Sequence, residues 1–175
     1  MSRRTILAFA FVVSATLLLT GDWASAVRKP KTKLLTIRGP HGSFVIGTTM
    51  CGSKSCITYS GAQTDVSIPG VGRHASLSWE IIRGDPVFTT PGGGTAYAAD
   101  GHATITTDSS TLDMEFGGPS VINFDVAEQF ALAKFAAALT GDGAFSDATG
   151  AADASIVLNL VADTVEWELV GNYTD

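Results

Sequence analysis

Apolar and polar residues alternate with a period of two along most of the chain. From Ala75 to Arg83, Leu77, Trp79 and Ile81 fall on one face and Ser76, Ser78 and Glu80 on the other. Thr111 to Phe116 sets Leu112, Met114 and Phe116 against Asp113 and Glu115, and Val165 to Val170 sets Val165, Trp167 and Leu169 against Glu166 and Glu168. Successive side chains of a strand point to opposite faces, so these runs predict strands with one buried face and one wet face. Shorter runs at Leu35 to Arg38, Phe44 to Met50, Ile57 to Tyr59, His102 to Thr107 and Ser155 to Leu160 read the same way, and Pro86 to Thr90 continues the strand that starts at Ala75. Gly39-Pro40-His41-Gly42, Pro91-Gly92-Gly93-Gly94 and Asp108-Ser109-Ser110 break the pattern as turns. The sum is an all-β domain whose antiparallel sheet is greasy on one side, and closure into a barrel would remove the exposed edges of such a sheet.

One segment carries two signals. Val126 to Leu139 is rich in alanine, opens on Asp125-Val126-Ala127-Glu128 in the form of a capping box, and has Leu132, Phe135 and Leu139 at helical spacing. Ile122, Phe124, Val126, Phe130 and Leu132 nevertheless keep a strand alternation, which Phe135 to Leu139 resumes one residue out of phase. We read a strand with a β-bulge near Ala133, with a helix as the alternative.

The first 26 residues follow a different logic. Arg3 and Arg4 precede an almost wholly apolar run from Ile6 to Leu19, and Ala24-Ser25-Ala26 supplies the small-x-small pattern of a signal peptidase site. The expectation is a cleavable signal helix at 1–26 and a secreted, periplasmic or extracellular protein; the paired arginines also partly match a twin-arginine signal. The apolar run is short of the roughly 20 residues that cross a bilayer, so the mature domain is expected not to span a membrane. Cleavage leaves a basic arm at 27–33, with Arg28, Lys29, Lys31 and Lys33, and a single domain at 34–175. The whole chain carries a formal charge of −6, which argues against nucleic acid as a partner.

Specific chemistry is sparse. Cys51 and Cys56 are the only cysteines, and export makes a disulfide across Gly52-Ser53-Lys54-Ser55 their natural state. His41, His74 and His102 lie in three separate segments without metal-ligand spacing, and Asp142, Asp147 and Asp153 fit no calcium loop, so no metal and no cofactor is expected. Neither a Gly-x-Ser-x-Gly elbow nor a Gly-x-x-x-x-Gly-Lys loop is present. Glu80, Glu166 and Glu168 would matter as acids or bases only if they faced inward, which requires the neighbouring tryptophans to face water. Asn172-Tyr173-Thr174 matches a glycosylation sequon.

Gly141-Asp142-Gly143-Ala144-Phe145-Ser146-Asp147-Ala148-Thr149-Gly150 reads as a tight corner: Gly141, Gly143 and Gly150 allow sharp backbone, and Ala148 allows close approach. This decapeptide resembles the Gly-x-Gly-x-Phe-x-x-Ala-x-Gly signature of the allene oxide cyclase barrel and dirigent-like superfamily, with flanking strands that look similar over roughly residues 75 to 175. The resemblance implies an antiparallel closed barrel of about eight strands with an apolar interior that holds small hydrophobic molecules. It transfers no catalytic residue. The leading expectation is non-enzymatic binding or shielding of a small apolar ligand, with Trp79, Met114, Phe116, Phe145 and Trp167 as pocket candidates. Alternatives are an isomerase or cyclase using Tyr59 or Tyr97 as proton donor, and a cell-surface or matrix interaction protein with a solid core.

Overall fold

The computed structural model describes residues 31–91, 94–125, 129–146 and 148–174. The expected signal segment at 1–26 and most of the basic arm lie outside them. Nine strands follow in order: β1 Thr32–Ser43, β2 Val45–Cys51, β3 Lys54–Ile68, β4 Gly72–Thr89, β5 Thr95–Thr106, β6 Thr111–Asp125, β7 Phe130–Asp142, β8 Thr149–Asn159 and β9 Thr164–Thr174. All pair antiparallel in one sheet, in the order β1-β9-β8-β7-β6-β5-β4-β3-β2.

The expected closed barrel of about eight strands is corrected on one point: among the described residues the nine-stranded hydrogen-bond ladder does not close. The two edge strands, β1 and β2, are consecutive in the chain and separated by Phe44 alone. They are two halves of one interrupted strand, the first paired with β9 and the second with β3. Past Ser60, β3 leaves β2 and runs beside β1 across a seam, where one backbone bond crosses, from Thr36 N to Pro69 O at 3.4 Å. The seam is tight without being laddered. A Cβ on Gly61 would lie 2.8 Å from Ser43 O, and one on Gly70 would lie 2.1 Å from Leu34 O. The buried ring of His41 also bridges it, with Nδ1 3.1 Å from Gln63 Oε1 and Nε2 3.2 Å from Arg38 O.

Alternation decides which side chains fill the interior. Leu35 and Ile37 on β1, Leu77, Trp79 and Ile81 on β4, Leu112, Met114 and Phe116 on β6, and Val165, Trp167 and Leu169 on β9 are all buried in one core. Burying a side chain of this size contributes roughly 1.5–3 kcal/mol, so a one-residue slip of any strand would forfeit several such contributions at once.

Element boundaries depart from the sequence reading where turn-forming residues lie inside strands. Gly39 and Gly42 adopt positive φ within β1, and the irregularity between Pro40 and Ser43 is absorbed as a bulge while pairing with β9 continues. Lys33, assigned to a basic arm, belongs to β1 and lies 5.6 Å from the centre of the Tyr173 ring. Val126 to Glu128 lie outside the described residues, and the rest of the ambiguous segment from Phe130 on is strand: β7 alternates without interruption, with Ala131, Ala133, Phe135, Ala137 and Leu139 buried. No bulge interrupts its pairing with β8 near Ala133. The change of phase has another origin, because Ile122 belongs to β6 and Phe130 opens β7, with Asp125 paired to Phe130 across a chain reversal. Gln129, immediately before β7, has a left-handed backbone at φ 57°.

Candidate functional site

Aromatic rings from five strands and from the break between β1 and β2 pack together in the core. Phe44, in the break between β1 and β2, lies 6.2 Å from Tyr59 on β3 and 6.5 Å from Trp79 on β4. Trp79 meets Trp167 of β9 edge to face at 6.0 Å and 71°. Trp167 lies 6.0 Å from Phe116 of β6, which stacks on Phe135 of β7 at 4.6 Å. Gly61, opposite Trp79 on β3, makes room for the indole: a Cβ there would sit 2.9 Å from Trp79 Nε1.

This layer contains a polar irregularity. The indole N–H groups of Trp79 and Trp167 are both buried, and neither has a hydrogen-bond acceptor. An indole nitrogen can only donate, and a buried donor without a partner costs about 1–3 kcal/mol. Two such donors on adjacent rings are uncommon enough in a folded core to need a physical reason.

The two ends of the interior differ. At one end the Gly141–Gly150 corner folds inward as a short 3-10 turn, Gly143–Phe145, whose first N–H is capped by Asp142 at 2.6 Å. Ala144 N donates to Ser110 Oγ at 2.8 Å, and Phe145 packs edge to face on Tyr173 at 6.0 Å. Tyr173 Oη in turn donates to Gly70 O at 2.5 Å, tying β9 to the β3–β4 turn. Phe145 is buried here, in the same core as the tryptophans. The corner glycines earn their positions by close approach, since a Cβ on Gly141 would lie 2.3 Å from Phe145 O and one on Gly150 2.1 Å from Asn172 O. Ala148, also buried, returns a backbone bond to Phe145 O at 2.7 Å.

At the other end, Arg83 continues the inward parity of Leu77, Trp79 and Ile81. Its guanidinium lies 4.6 Å from the centre of the Tyr97 ring, and its Nη1 donates to Tyr59 Oη at 3.4 Å. Burial raises the Tyr59 pKa above the ordinary tyrosine value, only partly countered by Arg83. Tyr59 is thus held as a neutral phenol, a proton donor and not a base. The two tyrosines named as candidate donors are brought together by an arginine that sequence reading passed over, although its place on the greasy face of β4 was a visible signal.

Of the other candidates, Met114 is buried between Ala103 and Leu139 on the neighbouring strands. Glu166 and Glu168 are exposed on the outer face, and Glu80 is half-buried. Cys51 and Cys56 form the expected disulfide, with Cα atoms 5.8 Å apart at the tip of the β2–β3 hairpin. His41, His74 and His102 lie on β1, β4 and β5, and among the described residues no cluster of His, Cys, Asp or Glu is placed to share a metal ion. No described helix is long and apolar enough to cross a membrane. A hollow of about 580 Å³ lies on the outer face of β7 to β9, lined by Lys134, Ala136, Asp153, Ser155, Glu168 and Val170, outside the apolar interior.

Comparison with protein-family models, curated proteins and solved structures returns no match for this chain.

Proposed function

We propose that this is a secreted, non-enzymatic β domain that encloses a small, largely apolar molecule bearing an oxygen acceptor, held against Trp79 and Trp167. The observation that carries this reading is the pair of buried indole N–H groups without acceptors. A carbonyl or ether oxygen of a guest would satisfy donors that the protein leaves unpaired, and the aromatic walls would supply its apolar contacts. About 200 Å² of guest surface removed from water contributes about 5 kcal/mol at 25 cal/mol per Å². The reading agrees with the likeness to the allene oxide cyclase and dirigent-like barrels, whose interiors hold hydrophobic molecules. The disulfide is in keeping with export to an oxidising compartment.

A second reading rests on a different observation. Trp79, Trp167 and Phe116 come from three non-adjacent strands and still touch, as they would in a solid-cored interaction protein whose indole donors are met by buried water.

Native mass spectrometry of the exported protein, with organic extraction, separates the two. The ligand reading expects a retained oxygen-containing apolar molecule that a Trp79→Phe/Trp167→Phe variant loses at least tenfold. If nothing is retained, and if neither long-chain aldehydes nor simple phenols shift the tryptophan fluorescence, the solid-core reading replaces it.

A further inference from the structure

We propose that β2 is the contact strand of a weak two-fold dimer of this chain, two copies pairing antiparallel about Thr48. Strand β2 is hydrogen-bonded to β3 on one side, from Val45↔Ser60 to Cys51↔Lys54, and no described strand lies along its other side. Native edge strands are normally guarded by charge, proline or a bulge. Val45-Ile46-Gly47-Thr48-Thr49-Met50-Cys51 has no charge and no proline, and its register with β3 has no irregularity. Val45 is 67 %, Ile46 58 % and Met50 66 % exposed.

The strand complements itself. Side chains alternate, so Ile46, Thr48 and Met50 share one face of β2. A two-fold axis through Thr48 sets Ile46 against Met50 of the partner subunit and Met50 against Ile46 of the partner subunit, covering both exposed apolar side chains twice over. Charge points to the same occupant. Any charge near a two-fold axis meets its own image, and β2 carries none; Lys54, next to it at the hairpin tip, is paired with Asp85 at 3.2 Å. A charged peptide would find nothing on this strand to recognise. Seven paired residues bury less than the roughly 1,200 Å² of a stable complex, so the dimer forms and dissociates with concentration.

Sedimentation equilibrium on the exported protein between about 10 µM and 1 mM tests this concentration range. The expected result is a rise from monomer toward dimer mass, with amide exchange of Val45 to Cys51 slowing as concentration rises. Thr48 is exposed, so Thr48→Lys and Thr48→Glu should keep the far-ultraviolet spectrum and unfolding midpoint while each weakens the dimer at least tenfold, and an equal mixture of the two should restore it. Monomer mass throughout, a dimer indifferent to Thr48→Lys, failure of the mixture to recover, or β2 amides already slow in the dilute protein would each overturn the proposal.

Discussion

Trp79 and Trp167 touch edge to face at 6.0 Å from strands five places apart in the sheet, and both indole nitrogens are buried without a hydrogen-bond partner. Either tryptophan replaced by phenylalanine loses some packing, about 1 kcal/mol for the volume removed. The same change abolishes a donor whose isolation costs about 1–3 kcal/mol. In guest-free protein the two effects offset, so Trp79→Phe and Trp167→Phe should unfold in urea within about 1 kcal/mol of wild type or above it. Met114→Ala, in the same core with no polar atom to remove, should lose about 2–5 kcal/mol. A loss of that size in both tryptophan variants would mean that the donors are not orphans.

Gly150 and Gly72 make a matched pair. A Cβ on Gly150 would meet Asn172 O at 2.1 Å and Tyr173 Cα at 2.7 Å, both backbone atoms of a paired strand, whereas one on Gly72 meets nothing within 4 Å. Gly150→Ala should therefore lower the unfolding free energy by about 3 kcal/mol, at the upper end of what overpacking costs. Gly72→Ala should be neutral or stabilising by up to about 1 kcal/mol, because it only narrows the unfolded ensemble. Denaturant midpoints at constant slope report both.

The Tyr173 hydroxyl links the end of β9 to the β3–β4 turn through Gly70 O. Tyr173→Phe keeps the ring against Phe145 and removes only that bond, so about 1 kcal/mol of stability should be lost. Amide exchange around Ile68 to Gly72 should accelerate more than exchange in β7, because the severed tie is local.

His74 Nδ1 and Asp65 Oδ1 lie 2.5 Å apart on the surface, and the hydrogen bond and charge of Asp65 raise the His74 pKa above the ordinary histidine value. The contribution to stability is then fully present below about pH 6.5, the unfolded-state value, and is lost as pH rises through the higher folded-state value. Both side chains are exposed, so the effect on unfolding is small, and NMR titration of the imidazole is the suitable readout. The midpoint should lie above about 6.5 in the wild type and return to it in Asp65→Asn. An unchanged midpoint in the variant would dismiss Asp65 as the cause.

Alternation was enough to place the greasy faces of β4, β6 and β9 inward, because a two-residue period leaves only two choices and burying Glu166 and Glu168 in place of Trp167 and Leu169 is the costly one. What alternation does not encode is where a strand stops. Gly39-Pro40-His41-Gly42 has turn chemistry, yet pairing with β9 carries β1 through it, and the true break falls at Phe44, an apolar residue with no turn signature. The alanine-rich β7 shows the converse, with helix-forming residues held as strand by neighbours on both sides. Arg83 was legible as an exception to a clean apolar face, but its company with Tyr59 and Tyr97 depends on pairing between distant segments. The isolation of the two indole nitrogens depends on the whole packed interior, and no local pattern announces it.

Phe44 alone joins the two halves of the first strand, so the two edges of the sheet are linked through the chain itself and not by a ladder. Among the described residues, one backbone hydrogen bond, from Thr36 N to Pro69 O, spans the gap between β1 and β3. Trp79 packs beside this seam, and the missing side chain of Gly61 leaves it room, since a Cβ there would lie 2.8 Å from Ser43 O and 2.9 Å from Trp79 Nε1. A cut in the chain beside Phe44 would leave each half of the first strand held by its own ladder, β1 by β9 and β2 by β3.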